Sequence, residues 1–161
     1  METMVRMGEL AISDTPGDVL VSLGLGSCIG LALVDRRAGV AGLAHIVLPA
    51  STGTPAPATL NKFADHAVPA LLDGLIERGA SRVFMHAALV GGASMFATAG
   101  TKTLEVGLRN AAAVRELIGA RRVPVVAEAV GGSRGRTVRV DVTSGTVSVR
   151  EAGGVVEVLA A

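Results

Sequence analysis

The sequence predicts a mixed α/β domain rich in antiparallel sheet. Three observations carry that prediction. Short apolar runs recur along the chain and are separated by Gly, Pro, Asp and Ser clusters, the pattern of strands and turns. Two longer stretches carry apolar residues at helical spacing. With 161 residues, 50% of them hydrophobic, the chain has core material for one compact domain, expected to span 1–161.

Val5 to Ile12 and Val19 to Leu23 read as strands around the turn cluster Ser13-Asp14-Thr15-Pro16-Gly17. Gly24-Leu25-Gly26 interrupts the second. Cys28 to Val34 and Val40 to Leu48 are apolar strands joined through Asp35-Arg36-Arg37-Ala38. Ala50 to Ala58 has no periodicity and reads as a mobile surface loop bordering the site entrance. Phe63, Ala67, Leu71 and Leu75 recur at spacing four, so a helix is expected over about Asn61 to Arg78, stopped by Gly79 and kinked or divided at Pro69. Arg82 to Val90 is the next strand. A second helix over about Thr103 to Ile118 is expected to bury Leu104, Leu108, Ala111, Ala112 and Leu117. Val123 to Val130 is a strand, and Thr137 to Leu159 alternates as strand pairs with a two-residue turn at Ser144-Gly145.

Composition narrows the function. Three Phe and no Trp or Tyr leave little for stacking nucleic-acid bases, and a net charge of +1 without a basic block implies no polyanion partner. The single cysteine cannot form an internal disulfide. No signal-peptide order opens the chain, and no apolar run is long enough to insert in a membrane. The expectation is a soluble cytoplasmic protein.

That cysteine, Cys28, and His45 form the candidate catalytic pair, because a thiol becomes a nucleophile only as the thiolate and needs a base beside it. With a hairpin loop at Asp35–Ala38, Val34 faces Gly39 and the ladder sets Cys28 directly opposite His45, on one face of the sheet. Ser22 closes the preceding strand and offers a hydroxyl to the second imidazole nitrogen. The turn at Gly24–Gly26 turns backbone N–H groups near Gly26, Ser27 and Cys28 toward an oxyanion. The same residues also read as ordinary core, since free cysteine is among the most buried residue types.

Leu23-Gly24-Leu25-Gly26-Ser27-Cys28, Ala44-His45 with Leu48-Pro49, Phe63-Ala64-Asp65, Gly91-Gly92-Ala93-Ser94-Met95-Phe96, Gly107-Leu108-Arg109-Asn110 and Gly131-Gly132-Ser133-Arg134-Gly135-Arg136 together resemble the successive motifs of the CheD family, the bacterial chemoreceptor glutamine deamidases. The resemblance implies an α/β/β sandwich like the catalytic domains of deamidating cytotoxic necrotizing toxins. It implies hydrolysis of receptor glutamine side chains to glutamate, with Cys28 as nucleophile, His45 as base and no metal or organic cofactor. The family's third position, usually Thr, is Ser22 here, which keeps the hydroxyl but loses the methyl that restricts its rotamer. Gly91 and Gly92 are expected to border the substrate. Chemoreceptor helices are the implied substrate and a CheC-type phosphatase the implied partner. The alternative is a weakly catalytic or non-catalytic CheD-like regulator that binds such a phosphatase.

Other signals are weaker. Gly24-Leu25-Gly26-Ser27-Cys28-Ile29-Gly30 nearly imitates a dinucleotide fingerprint, but its last glycine falls one place late and a strand follows instead of a helix. His66 and His86 lack the paired spacing of a zinc site. The loop at Ser133–Arg136 reads as solvated arginines.

Overall fold

A computed structural model describes residues 1–94 and 103–161. Its strands are β1 (Glu2–Met4), β2 (Leu10–Ser13), β3 (Val19–Leu25), β4 (Ile29–Asp35), β5 (Val40–Ile46), β6 (His86–Gly91), β7 (Val125–Val130), β8 (Arg136–Asp141), β9 (Val147–Glu151) and β10 (Val156–Ala160). Helix α1 spans Ala64–Glu77 and α2 spans Thr103–Ala120. The strands form an outer sheet, β1-β3-β8-β9-β10, and a central sheet, β2-β5-β4-β6-β7. Among the named strands, β1–β3 and β6–β7 pair in parallel and the other pairs are antiparallel. The architecture is mixed α/β with two mostly antiparallel sheets.

The central sheet is buried on both faces, which is why β4 and β5 read as continuous apolar runs. Ile29, Leu31 and Leu33 of β4 pack with Leu71 and Leu75 of α1 and with Val114 and Ile118 of α2. Ala32 and Val34 point the other way, against Leu20, Val138 and Val140 of the outer sheet. Each such leucine buried contributes roughly 1.5–3 kcal/mol relative to exposure. No described helix is long and apolar enough to cross a membrane.

Several boundaries differ from expectation. The run Val5–Ile12 is not one strand, because the chain crosses between the sheets there. Val5 N–H still bonds Val21 O of β3 at 2.7 Å, whereas Gly8 N–H already bonds His45 O of β5 at 2.9 Å. The run Arg82–Val90 begins as a 3-10 helix, Arg82–Phe84, with Val83 exposed and Phe84 lying under the Arg37 guanidinium at 4.4 Å. Another 3-10 helix, Pro57–Lys62, precedes α1. Pro69 does not divide α1, which is pinned to the sheet by Val68, Leu71, Leu72 and Leu75 on either side. The turn after β8 is longer than two residues because Asp141 closes it, accepting Gly145 N–H on its carbonyl at 2.8 Å and Ser144 N–H on its carboxylate at 3.1 Å.

In α2 the expected buried stripe is met in part: Ala111 is buried and Leu117 packs against the core, while the Leu104 side chain lies outside the described residues. Leu108 and Ala112 face outward, and Asn110, Ala111, Val114 and Ile118 face the sheet. Gly107 sets that rotation: a Cβ there would lie 2.5 Å from Gly92 O, so the helix meets the end of β6 backbone to backbone.

Gly91 makes the closest approach. Its φ is +114°, and a Cβ on it would lie 2.1 Å from the Cys28 carbonyl oxygen. Gly91→Ala therefore combines a forbidden backbone region with a clash against main chain and should destabilise by about 3 kcal/mol or more. Gly39→Ala, at φ +71° with open space around it, should cost only about 1–2 kcal/mol. Chemical denaturation of the two variants checks the order, and equal losses would remove the steric argument.

Candidate active site

The β4–β5 hairpin decides where Cys28 and His45 lie. Its loop is Arg36–Gly39, and its ladder pairs Asp35 with Val40 and Gly30 with His45. The expected register is thus displaced by two positions, and Cys28 is not directly opposite His45. The cause is Asp35, which stays in the strand. Its buried carboxylate accepts Ala38 N–H at 3.0 Å and Ser81 N–H at 2.8 Å, leaving Gly39 to take the left-handed turn position. A displacement of two preserves the face. Cys28 and His45 both point between the sheets, continuing the Ala32/Val34 and Ala41/Leu43 rows, as diagonal neighbours. No hydrogen bond joins them.

The imidazole is held elsewhere. His45 Nδ1 lies 3.0 Å from the Val5 carbonyl oxygen. A carbonyl only accepts, so Nδ1 carries the proton and Nε2 keeps its lone pair. Ser22 donates to that same oxygen at 2.7 Å, not to the ring as expected, because the inter-sheet crossing brings Val5 O between them. Ser22 is fully buried and His45 is 6% exposed.

The cysteine turn is fixed by three consecutive carbonyls. Gly26 O accepts Ala93 N–H at 2.8 Å, Ser27 O accepts Asn110 Nδ2 at 2.9 Å, and Cys28 O accepts Gly92 N–H at 2.9 Å. Gly92 N–H is therefore engaged with the main chain, not open to a substrate. Gly91 O accepts Gly131 N–H at 3.0 Å and Arg136 Nη1 at 3.3 Å, so Arg136 is a clamp on this corner instead of a solvated arginine. Met95 and Phe96 lie outside the described residues.

A cleft of about 340 Å³ opens onto His45, lined by Met4, Val5, Arg6, Met7 and Leu23. A bulge in β3 between Ser22 and Leu25 turns Leu23 outward to this rim and returns Leu25 to the core; the strand thus continues through Gly24, where a break was expected. The Ala50–Ala58 loop does not line the cleft. Ser51 ties its start to α1, donating from N and Oγ to the two Asp65 oxygens at 3.1 and 2.9 Å.

A family model described as CheD chemotactic sensory transduction matches residues 47–151. A probable chemoreceptor glutamine deamidase CheD of Clostridium botulinum (strain Alaska E43 / Type E3) is 39% identical over 97% of this chain and 97% of its own. The chain belongs to the CheD family. Proteins of the same description from Moorella thermoacetica and Symbiobacterium thermophilum are 42% and 41% identical, covering 98% and 92% of this chain and 95% and 92% of their own. Among solved structures, the hypothetical protein YfiH of Bacillus licheniformis aligns with a TM-score of 0.48 at 14% identity, over 77% of this chain and 49% of that one. The CheD model match begins two residues past His45, so Ser22, Cys28 and His45 fall outside it.

Sequence reasoning missed two participants. Val5 acts through its carbonyl, which no side chain announces. Asn110 sits on a helix face searched for leucines; the signal for it was Gly107, one turn earlier, marking the side of close approach.

Burial sets the protonation states. It disfavours the imidazolium and lowers the His45 pKa below its ordinary 6.5, outweighing the Val5 carbonyl and Glu9. It raises the Cys28 pKa above 9.0, outweighing the residue's own backbone N–H. Below 6.5 the unfolded chain protonates first at His45, so that stability is complete above 6.5 and falls as pH drops toward the folded value. Above 9.0 the unfolded chain ionises first at Cys28, so stability is complete below 9.0 and falls as pH rises through the folded value. Denaturation midpoints should be flat between these limits. His45→Gln should flatten part of the acid-side slope, with His86, also lowered by burial, keeping some of it. An acid slope untouched by His45→Gln would contradict a buried neutral ring.

Proposed function

We propose that this chain is a protein-glutamine deamidase of bacterial chemotaxis, converting selected chemoreceptor glutamine side chains to glutamate with release of ammonia. The observation that carries the reading is the placement of Cys28 on the same face of the hairpin as a histidine whose Nδ1 is pinned to Val5 O and whose Nε2 keeps its lone pair. The full-length relatives named as chemoreceptor glutamine deamidases support the substrate.

His45 Nε2 takes the thiol proton as Sγ of Cys28 attacks the amide carbon of the receptor glutamine. The peptide N–H groups of Ser27 and Cys28 receive the oxyanion. In trans peptides they point opposite to the carbonyls of Gly26 and Ser27, which are bound on the far side. The tetrahedral species collapses, its C–N bond breaks, and Nε2–H delivers the proton to the leaving ammonia. Water then gives a proton to Nε2, attacks the thioester carbon and releases glutamate, and the thiol regains its proton. The resting pair is neutral and unbonded, so the Sγ–Nε2 contact forms when the substrate enters, as catalytic contacts often do. No metal or organic cofactor takes part.

Residues 1–161 act as one CheD-like unit in the cytoplasm, on receptor helices presented at the Leu23–Met7 rim. The layer order of helices, sheet and sheet supports the expected likeness to the deamidating toxins. A second reading is a weakly catalytic regulator that binds a CheC-type phosphatase. It is favoured by the unbonded thiol and by Ser22 acting only through Val5 O.

Ammonia release from receptor cytoplasmic fragments, with mass spectrometry of the converted glutamines, separates the two. Cys28→Ala should abolish release, and His45→Ala should lower turnover about a hundredfold or more. Ser22→Ala removes one buried bond to the carbonyl that orients the ring and should lower turnover by about tenfold; Ser22→Thr should keep it. Undiminished release from Cys28→Ala would overturn the Cys28 mechanism, and no release from the wild-type protein would overturn the deamidase reading.

A further inference from the structure

The β4–β5 ladder ends at the Ile29–Ile46 pair, and the next rung, Cys28 with Val47, is not made. The hairpin splays at the rung that carries the candidate nucleophile. Into that gap reaches Asn110 of α2, fully buried. One Nδ2–H donates to Ser27 O at 2.9 Å and the other to Val47 O at 2.8 Å. The two protons of an amide lie in one plane at a fixed angle, so the acceptors are held roughly 5 Å apart, as by a spacer.

The rest of the side chain argues that this bridge is why an asparagine stands here. Among the described residues no donor reaches its Oδ1, which is buried, and an unsatisfied buried acceptor is destabilising. The neighbours on the stripe, Ala111, Val114 and Ile118, are apolar. An apolar side chain would complete the stripe without an unpaired oxygen, but would leave both carbonyls without their donor.

We propose that Asn110 is a positioning residue that replaces the missing rung and sets the separation between the Cys28 turn and the end of β5, so that Sγ comes within reach of His45 Nε2. The inference rests on the deamidase reading for its consequence. Its geometry is testable without the receptor, through the reactivity of Cys28.

The test compares Asn110→Ala with Val114→Ala, a cavity variant on the same helix face, and with His45→Ala. The pH profile of Cys28 alkylation by iodoacetamide, thermal unfolding, and kcat and KM for receptor fragments are measured for each. Iodoacetamide brings its own amide to the turn and so calls on the same Sγ–Nε2 contact, and Asn110→Ala should move the alkylation profile to that of His45→Ala. It should also lower kcat by about tenfold or more, as expected for two lost buried bonds, with KM little changed. Asn110→Ser, which keeps one donor, should fall between it and wild type. Val114→Ala should lose melting temperature yet keep the wild-type profile and kcat. The proposal fails if Asn110→Ala alkylates and turns over like wild type, if Val114→Ala shows the same losses, or if neither Asn110 variant folds, which assigns the residue to stability alone. Absence of ammonia release from the wild-type protein would instead sink the deamidase reading and leave the alkylation result to judge the clamp.

Discussion

The Val5 carbonyl oxygen is the point on which the site depends. It accepts from Ser22 of the outer sheet and from His45 of the central sheet, so one main-chain atom ties the two sheets together at the functional end. Its position is fixed by Val5 N–H on Val21 O, and the crossing from β1 to β2 brings it there. Both lone pairs of a buried carbonyl are used, and the shared acceptor leaves no polar atom of Ser22 or Nδ1 of His45 unpaired. In a low-dielectric interior such a completed network orients its members more firmly than the same bonds would in water.

Electrostatics and geometry act in opposite directions on the thiol. Burial is the largest influence on Cys28 and on His45 alike, and it favours the neutral form of each. An ion pair at rest would have to overcome both desolvation costs, and Val5 O, Glu9 and the Cys28 N–H are too weak for that. In the proposed mechanism, transfer of the proton is therefore coupled to the arrival of an amide that displaces water and brings its own carbonyl to the N–H groups of the turn. A neutral buried thiol is also less exposed to adventitious oxidation than a standing thiolate.

Much of this was legible in the sequence, and what was not has identifiable causes. Continuous apolar runs revealed β4 and β5, and the period-two rule put Cys28 and His45 on one face even though the register was displaced. The displacement came from a four-residue hairpin loop begun at Asp35, when burial and two N–H donors hold that residue in the strand. Gly24-Leu25-Gly26 read as a break, because a bulge and a turn share the same glycine signal; Leu25 in the core distinguishes them. The crossing at Val5–Glu9 was hidden because apolar residues flank it closely on both sides, Val5 and Met7 before and Leu10 to Ile12 after, with Gly8 the one turn signal between them. Asn110 was invisible to a search for apolar periodicity, which discards polar residues on a buried face.

The site stands at the one end of the central hairpin where the ladder stops, and the reasons are complementary. A strand pair buried on both faces supplies rigid positions but no access, because every main-chain group is engaged. Access needs the ladder to open, and an open ladder leaves carbonyls unsatisfied in the interior. Here Ala93 N–H, Asn110 and Gly92 N–H satisfy the carbonyls of Gly26, Ser27 and Cys28 in turn. Gly91, which admits no side chain against Cys28 O, lets the main chain come close enough to do so. In planar trans peptides the N–H groups of Ser27 and Cys28 point away from the bound carbonyls of Gly26 and Ser27, so the bonds that hold the acceptors also fix the direction of the donors. Rigidity of the turn and orientation of its donors are thus one consequence of how its acceptors are held.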